Sequence, residues 1–127
     1  MSNYRELAVW RKSHSVALDV YRVSLELPKT ERYGLQAQMR RAAVSIGSNL
    51  AEGSGRASDR DFARFVSIAI GSASELEYQL ELAEDLDFLE RELAQSSRQR
   101  VVEVRKMLLA LRIHLIRADS RLATRVS

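Results

Sequence analysis

Phe62, Val66, Ala69, Ala73, Leu76, Leu80 and Ala83 follow one another in alternating steps of four and three without a miss. A 3.5-residue recurrence held this long is the seam of a helix packed against other helices; a strand would scatter these side chains over both faces. Ser58 stands as N-cap with Asp61 three residues on, a capping-box-like start with acid in the first turn. After a break at Asp87-Phe88, the run Val101, Val104, Leu108, Leu111, Leu115, Ala118 and Leu122 repeats the pattern on another helix.

Two further segments read the same way. The first spans about residues 4–27, where Pro28 stops it. Val9, Val16, Val20, Val23 and Leu27 form one apolar stripe; Trp10, His14, Ala17, Leu18, Tyr21 and Leu25 form a second beside it. Together they are too wide for one bundle seam and imply a second buried contact. The next segment starts near Tyr33-Gly34 and stops at Gly53-Ser54-Gly55, with Leu35, Met39, Ala42, Ile46 and Leu50 as its core stripe. Ala43, Ser45, Gly47, Ser48 and Ala51 make the rest of its surface small, which permits close approach on more than one side. Short connections between such helices make neighbours antiparallel. The expected fold is all-α, an up-down-up-down antiparallel four-helix bundle, in a single domain over residues 1–127. Ordered helices are expected over about residues 4–118, with a frayed tail over 119–127.

Composition excludes several classes. The chain has 127 residues, enough for one continuous core, and no cysteine, so disulfides and thiolate metal sites are ruled out. No signal peptide is visible at the N-terminus and no run approaches a membrane span, so the expected location is cytoplasmic. His14 and His114 lack the spacing of a metal pair. Glu75, Glu77, Glu81, Glu84 and Asp85 lack the Glu-x-x-His partners of a di-metal bundle. Gly53-Ser54-Gly55-Arg56 follows a helix rather than a strand and reads as a helix stop, not a phosphate loop. Neither a cofactor nor a catalytic residue is implied; the expected protein is not an enzyme.

The block Tyr33-Gly34-Leu35-Gln36-Ala37-Gln38-Met39-Arg40-Arg41-Ala42-Ala43-Val44-Ser45-Ile46-Gly47-Ser48-Asn49-Leu50-Ala51-Glu52-Gly53 carries a resemblance, extended by Trp10-Arg11-Lys12-Ser13-His14, Leu27-Pro28-Lys29 and Phe65-Val66-Ser67-Ile68-Ala69-Ile70-Gly71-Ser72. It resembles the bundle proteins encoded in intervening sequences of bacterial 23S ribosomal RNA genes. That family in turn resembles the accessory variability protein of diversity-generating retroelements. The resemblance implies a homopentameric ring, no known catalytic activity and, in the retroelement relatives, a basic surface for nucleic acid and reverse transcriptase. Three positions depart from the family pattern: Gly47 where Pro is usual, Ser54 where an aromatic is frequent, and Asp87 where Gly is common.

Arg41, Ser45, Ser48 and Glu52 line one side of the second helix, either as a solvated stripe or as a network orienting neighbouring helices. The resemblance favours a structural or subunit-contact role for them, with Asn49 beside them and Trp10 and Tyr21 on the first helix. Charge is uneven: residues 1–60 hold 10 basic against 6 acidic side chains, residues 61–97 hold 2 against 9, and residues 98–127 hold 8 against 2. Folding the last two helices about Phe88 pairs Glu84 with Arg91, and Glu77 and Glu81 with Arg98, leaving Arg105 and Arg112 without carboxylate partners. The topology gathers Arg5, Arg11, Lys12, Arg56, Arg60, Arg64, Arg112, Arg117, Arg121 and Arg125 at one end, and Glu84, Asp85, Asp87, Glu90 and Glu92 at the other. The expected nucleic-acid contacts are Arg56, Arg60, Arg64, Arg105, Arg112 and Arg117. The expected function is a non-enzymatic homo-oligomeric scaffold that associates with RNA or DNA backbone; the alternative is a self-assembling module for an acidic protein partner.

Overall fold

The computed structural model describes the backbone of residues 3–126 and the side chains of residues 3–122; Arg125 therefore lies outside the described side chains. Four α-helices account for most of it: α1 (Ala8–Val23), α2 (Leu35–Ser54), α3 (Asp59–Asp85) and α4 (Arg91–Val126). No strand occurs among the described residues, and none of their helices is long and apolar enough to cross a membrane. Helix α3 packs on α2 and α4, while α1 packs on α2 and α4, which closes the expected four-helix arrangement. All seven seam residues of α3 are buried, as are the stripes Leu35, Met39, Ala42, Ile46 and Leu50 of α2 and Val9, Val16, Val20 and Val23 of α1. On α4 the seam is buried at Val101, Val104, Leu108 and Leu115, whereas Leu122 is exposed.

The helix ends depart from the sequence reading in instructive ways. Helix α1 stops at Val23, and a 3-10 turn (Ser24–Glu26) leads to Pro28. The earlier stop is held by α2: Gln36 Nε2 donates to the Ser24 carbonyl (2.9 Å) and Arg40 Nη2 to the Tyr21 carbonyl (3.2 Å). These carbonyls at the end of α1 have long local partners, the Leu27 N–H and the Ser24 hydroxyl (both 3.3 Å), so the α2 side chains complete their hydrogen bonding, and Arg40 places positive charge at the negative end of the α1 dipole. Helix α3 opens as expected, with Ser58 Oγ accepting from the Asp61 N–H (3.1 Å). It ends in a Schellman arrangement: the Phe88 N–H reaches the Ala83 carbonyl and the Asp87 N–H the Glu84 carbonyl, both at 2.9 Å. Asp87 sits between them with φ of 61°, the left-handed region that favours glycine.

At Gly53, α2 lies tight against α3. A Cβ at Gly53 would stand 2.7 Å from Cβ of Phe65 and 2.8 Å from Cδ1 of Phe62, whereas a Cβ at Gly71, on the exposed face of α3, would meet nothing within 4 Å. Gly53→Ala is therefore expected to destabilise the fold by about 1–3 kcal/mol, because Cβ of Phe65 cannot move without its backbone. Gly71→Ala should stabilise it by about 0.5–1 kcal/mol through helix propensity alone. Thermal denaturation of both variants at one protein concentration checks the opposite signs.

Candidate functional site

The second stripe of α1 stays uncovered within the chain. Leu18 is 50% and Leu25 67% exposed, with Tyr21 and, across on α2, Val44 also exposed. Trp10 is half-buried, edge-on to Tyr4 (4.9 Å between centroids) and stacked on His14 (5.1 Å). Between α1 and α2 these residues border an apolar groove of about 490 Å³, floored by the small residues Ala43, Gly47, Ser48 and Ala51. Of the polar residues singled out on α2, Ser45 and Asn49 turn inward. Ser45 Oγ is hydrogen-bonded to Ser72 Oγ of α3 (2.8 Å), and Asn49 Nδ2 donates to the Ser45 carbonyl (2.8 Å) and hydroxyl (3.1 Å). Arg41, Ser48 and Glu52 are exposed, and Glu52 pairs with Arg56 (3.0 Å).

At the basic end, much of the charge is balanced locally. Besides Glu52, Arg56 approaches Asp61 (3.8 Å), which also holds Arg64 (3.1 Å). Both guanidiniums lie over the ring of Phe65, at 4.7 and 4.6 Å from its centroid, and help keep that ring buried. Lys12 is paired with Glu103 of α4, which holds the Glu103 carboxyl below its ordinary range. Arg60 is exposed and makes no ion pair among the described residues. It lines a groove of about 320 Å³ between α3 and α4 together with Arg64, Ser67, Arg112, Asp119 and Ser120. Arg112 Nη1 donates to Ser67 Oγ (3.2 Å), which orients its guanidinium without neutralising it. The groove brings three guanidiniums together against one carboxylate. Arg117, one turn on from Arg112, is exposed and makes no ion pair among the described residues.

The ladder between α3 and α4 corrects the expected pairing. Arg98 reaches Glu84 (3.4 Å) and Glu81 (4.0 Å), and Arg105 engages Glu77 through both its Nε and Nη2. Arg105 thus has the carboxylate partner it was expected to lack, while Arg91 makes no ion pair among the described residues. The reason is the lean of the side chains. Residues 86–90 are centred on Phe88, but side chains lean toward the N-terminus of their own helix. The α3 glutamates therefore point away from the turn while the long α4 arginines reach back toward it, so Glu84 and Glu77 meet arginines one heptad further along α4 than backbone levels alone would give. The opposite end is corrected as well. Its α3–α4 half is acidic, but its α1–α2 half mixes Glu26 and Glu31 with Lys29, Arg32 and Arg40, and Tyr33 stands exposed among them.

The model of the 23S rRNA-intervening sequence proteins matches residues 5–110. The chain belongs to that family. A member of the S23 ribosomal protein family from Bacteroides thetaiotaomicron, a crystal structure of a protein of unknown function, is similar in fold with a TM-score of 0.77. It is 28% identical, over 82% of this chain and 97% of its own. No curated protein matches. Neither the family's description nor the neighbour's names an enzymatic activity. In this member of the family, the match takes in the α1–α2 face, Arg60 and Arg64, and stops short of Arg112 and Arg117.

The Glu77–Arg105 pair is mostly shielded, with side chains 23% and 29% exposed, and the hydrogen bond from Arg105 to Glu77 raises the arginine's pKa. Glu77→Gln should lower stability by about 1 kcal/mol, allowing for the remaining solvent screening. A double-mutant cycle with Arg105→Gln, read by urea denaturation, should return a favourable coupling between the two side chains. Additive losses would mean that they do not act as a pair.

Proposed function

We propose that this protein is a non-enzymatic, homo-oligomeric helical scaffold that holds nucleic-acid backbone in the α3–α4 groove at its basic end. The observation that carries this reading is the convergence of Arg60, Arg64 and Arg112 on one groove, with Asp119 as the only carboxylate of its lining among the described residues. Arg60 stands in the first turn of α3, where the helix dipole adds to the attraction for phosphate. A family named for sequences within 23S rRNA supports the same ligand class and a cytoplasmic setting. Self-association is supported by the uncovered face of α1, since an apolar surface rimmed by polar residues marks a contact site.

One observation favours the alternative, an acidic protein partner: Ile113, Ile116 and Ile68 are each about half exposed on the same α3–α4 face. An apolar strip beside cations suits a protein surface better than a phosphate backbone.

Salt titration separates the two. Each phosphate contact steepens the log–log salt dependence of duplex DNA binding by about 0.9, so Arg60→Glu with Arg64→Glu should weaken binding and flatten that slope by up to about 2. A wild-type protein that binds neither duplex DNA nor duplex RNA would leave the protein-partner reading. Light scattering coupled to size exclusion should give a mass well above the 14.4 kDa of one chain. Leu18→Asp combined with Val44→Asp should return it to a single chain. A wild-type mass of 14.4 kDa at micromolar concentration would remove the scaffold.

A further inference from the structure

We propose a second nucleic-acid site, at the α1–α2 half of the opposite end, in which Arg32 and Arg41 take phosphate oxygens and Tyr33 stacks on an unpaired base. The end of α1, the connection after it and the first turns of α2 enclose a groove of about 600 Å³ there, within the range of about 300–1,000 Å³ usual for small-ligand sites. Three arginines (Arg32, Arg40 and Arg41) and two tyrosines line it, and among the described residues no carboxylate does. The nearby Glu31 is turned away toward α2, where its Oε1 accepts from the Leu35 N–H (3.1 Å).

Arg40 serves the fold, whereas Arg32, Tyr33 and Arg41 are disposed for a ligand. Arg40 donates from Nε to Ser24 Oγ (2.9 Å) and lies 4.4 Å from the centroid of Tyr21, which fixes that ring while leaving it 45% exposed. Tyr33 is 86% exposed, so it adds almost nothing to the core, and its ring is approached by Arg32 at 5.3 Å. Arg41 has no hydrogen bond or ion pair among the described residues. An acidic peptide or a duplex backbone would use the guanidiniums and ignore the rings. An unpaired nucleotide uses both, through phosphate on arginine and base on aromatic face. The α3–α4 groove cannot do this, because its aromatic neighbour Phe65 is buried under Arg56 and Arg64. The two sites therefore divide the ligand by structure, paired backbone at one end and single strand at the other. The proposal does not rest on the α3–α4 reading.

The test uses the full chain and two fluorescein-labelled probes, a twelve-nucleotide oligo(U) and a blunt RNA duplex, read by anisotropy. Tyr33→Ala should weaken oligo(U) binding about ten-fold, in line with the loss of one stacked base, and leave duplex binding unchanged. Tyr33→Phe, which keeps the ring, should bind like wild type. Arg60→Glu with Arg64→Glu should show the reverse selectivity, weak on duplex and little altered on oligo(U). Because Tyr33 is so exposed, its variants will fold, and light scattering on the same samples reports their assembly. The proposal is overturned if wild type does not bind oligo(U), or if Tyr33→Ala binds it as wild type does. It is equally overturned if Tyr33→Ala changes the mass of the assembly, which would make the groove a subunit contact. Loss of duplex binding by wild type alone would sink the α3–α4 reading and leave this one standing.

Discussion

The close approach of α3 to its neighbours governs the rest of the molecule. Ala69, Ala73 and Ala83 on α3 are fully buried, as are Ala43 of α2 and Ala94 of α4, and Gly53 lets α2 come within Cβ contact of Phe65. Side chains this small put helix backbones near one another, and Leu76, Leu80, Met39, Ile46 and Leu108 fill the space that remains. With α3 so committed, α1 is the helix held least completely. Its inward valines are buried, but Leu18, Tyr21 and Leu25 of its other stripe stay exposed among the described residues. The open α1–α2 face follows from where the small residues were placed.

That much was legible from periodicity. A seam held over six turns fixes which face is buried, because a wrong phase would bury charge, and every α3 residue assigned to the core is there. The excess apolar width of α1 was legible for the same reason, since too many matches to one period is itself a signal. What periodicity does not contain is the geometry of a turn or the lean of a side chain. The register between α3 and α4 hangs on residues 86–90 and on Asp87 adopting a left-handed conformation, and the lean of the side chains on both helices then places Arg105 opposite Glu77. The true end of α1 was hidden in a comparable way, because Gln36 and Arg40, a dozen or more residues away, cap it.

The candidate sites divide along the same line. Topology alone gathers the cations of one end, since alternate connections must return there. It does not say which of them are already occupied, and Arg56 and Arg64 meet Glu52 and Asp61 through helix spacing and loop geometry rather than through topology. Arg32, Tyr33, Arg40 and Tyr21 could have been found by asking which aromatic residues near helix ends lie beside arginines. That signal is weak until the fold brings α1 and α2 side by side.

Why cations are left over at both ends has an answer in how the carboxylates are distributed. The acidic run of α3 is used by the hairpin itself, with Glu77, Glu81 and Glu84 meeting Arg98 and Arg105 of α4, so the longest array of charge is neutral within one unit. Helix α2 contains no carboxylate before Glu52, so Arg40 and Arg41 can be balanced only from another helix. Of its neighbours, α1 offers Asp19, which is taken on the α4 side by Ser97 Oγ (2.9 Å) and Arg100 (3.8 Å). Helix α3 offers Glu75, which borders a groove with Arg41 but accepts from Gln79 Nε2 (3.4 Å) and forms no ion pair with Arg41. At the other end of the bundle, α4 runs on from Arg112 through Arg117 and Arg121 with Asp119 as the one carboxylate among them. Two separate shortages of acid, one on α2 and one on the last turns of α4, thus leave two separate cationic grooves. Only the groove on the α2 side also has tyrosines, so phosphate can be held in either, but a base can be stacked in only one.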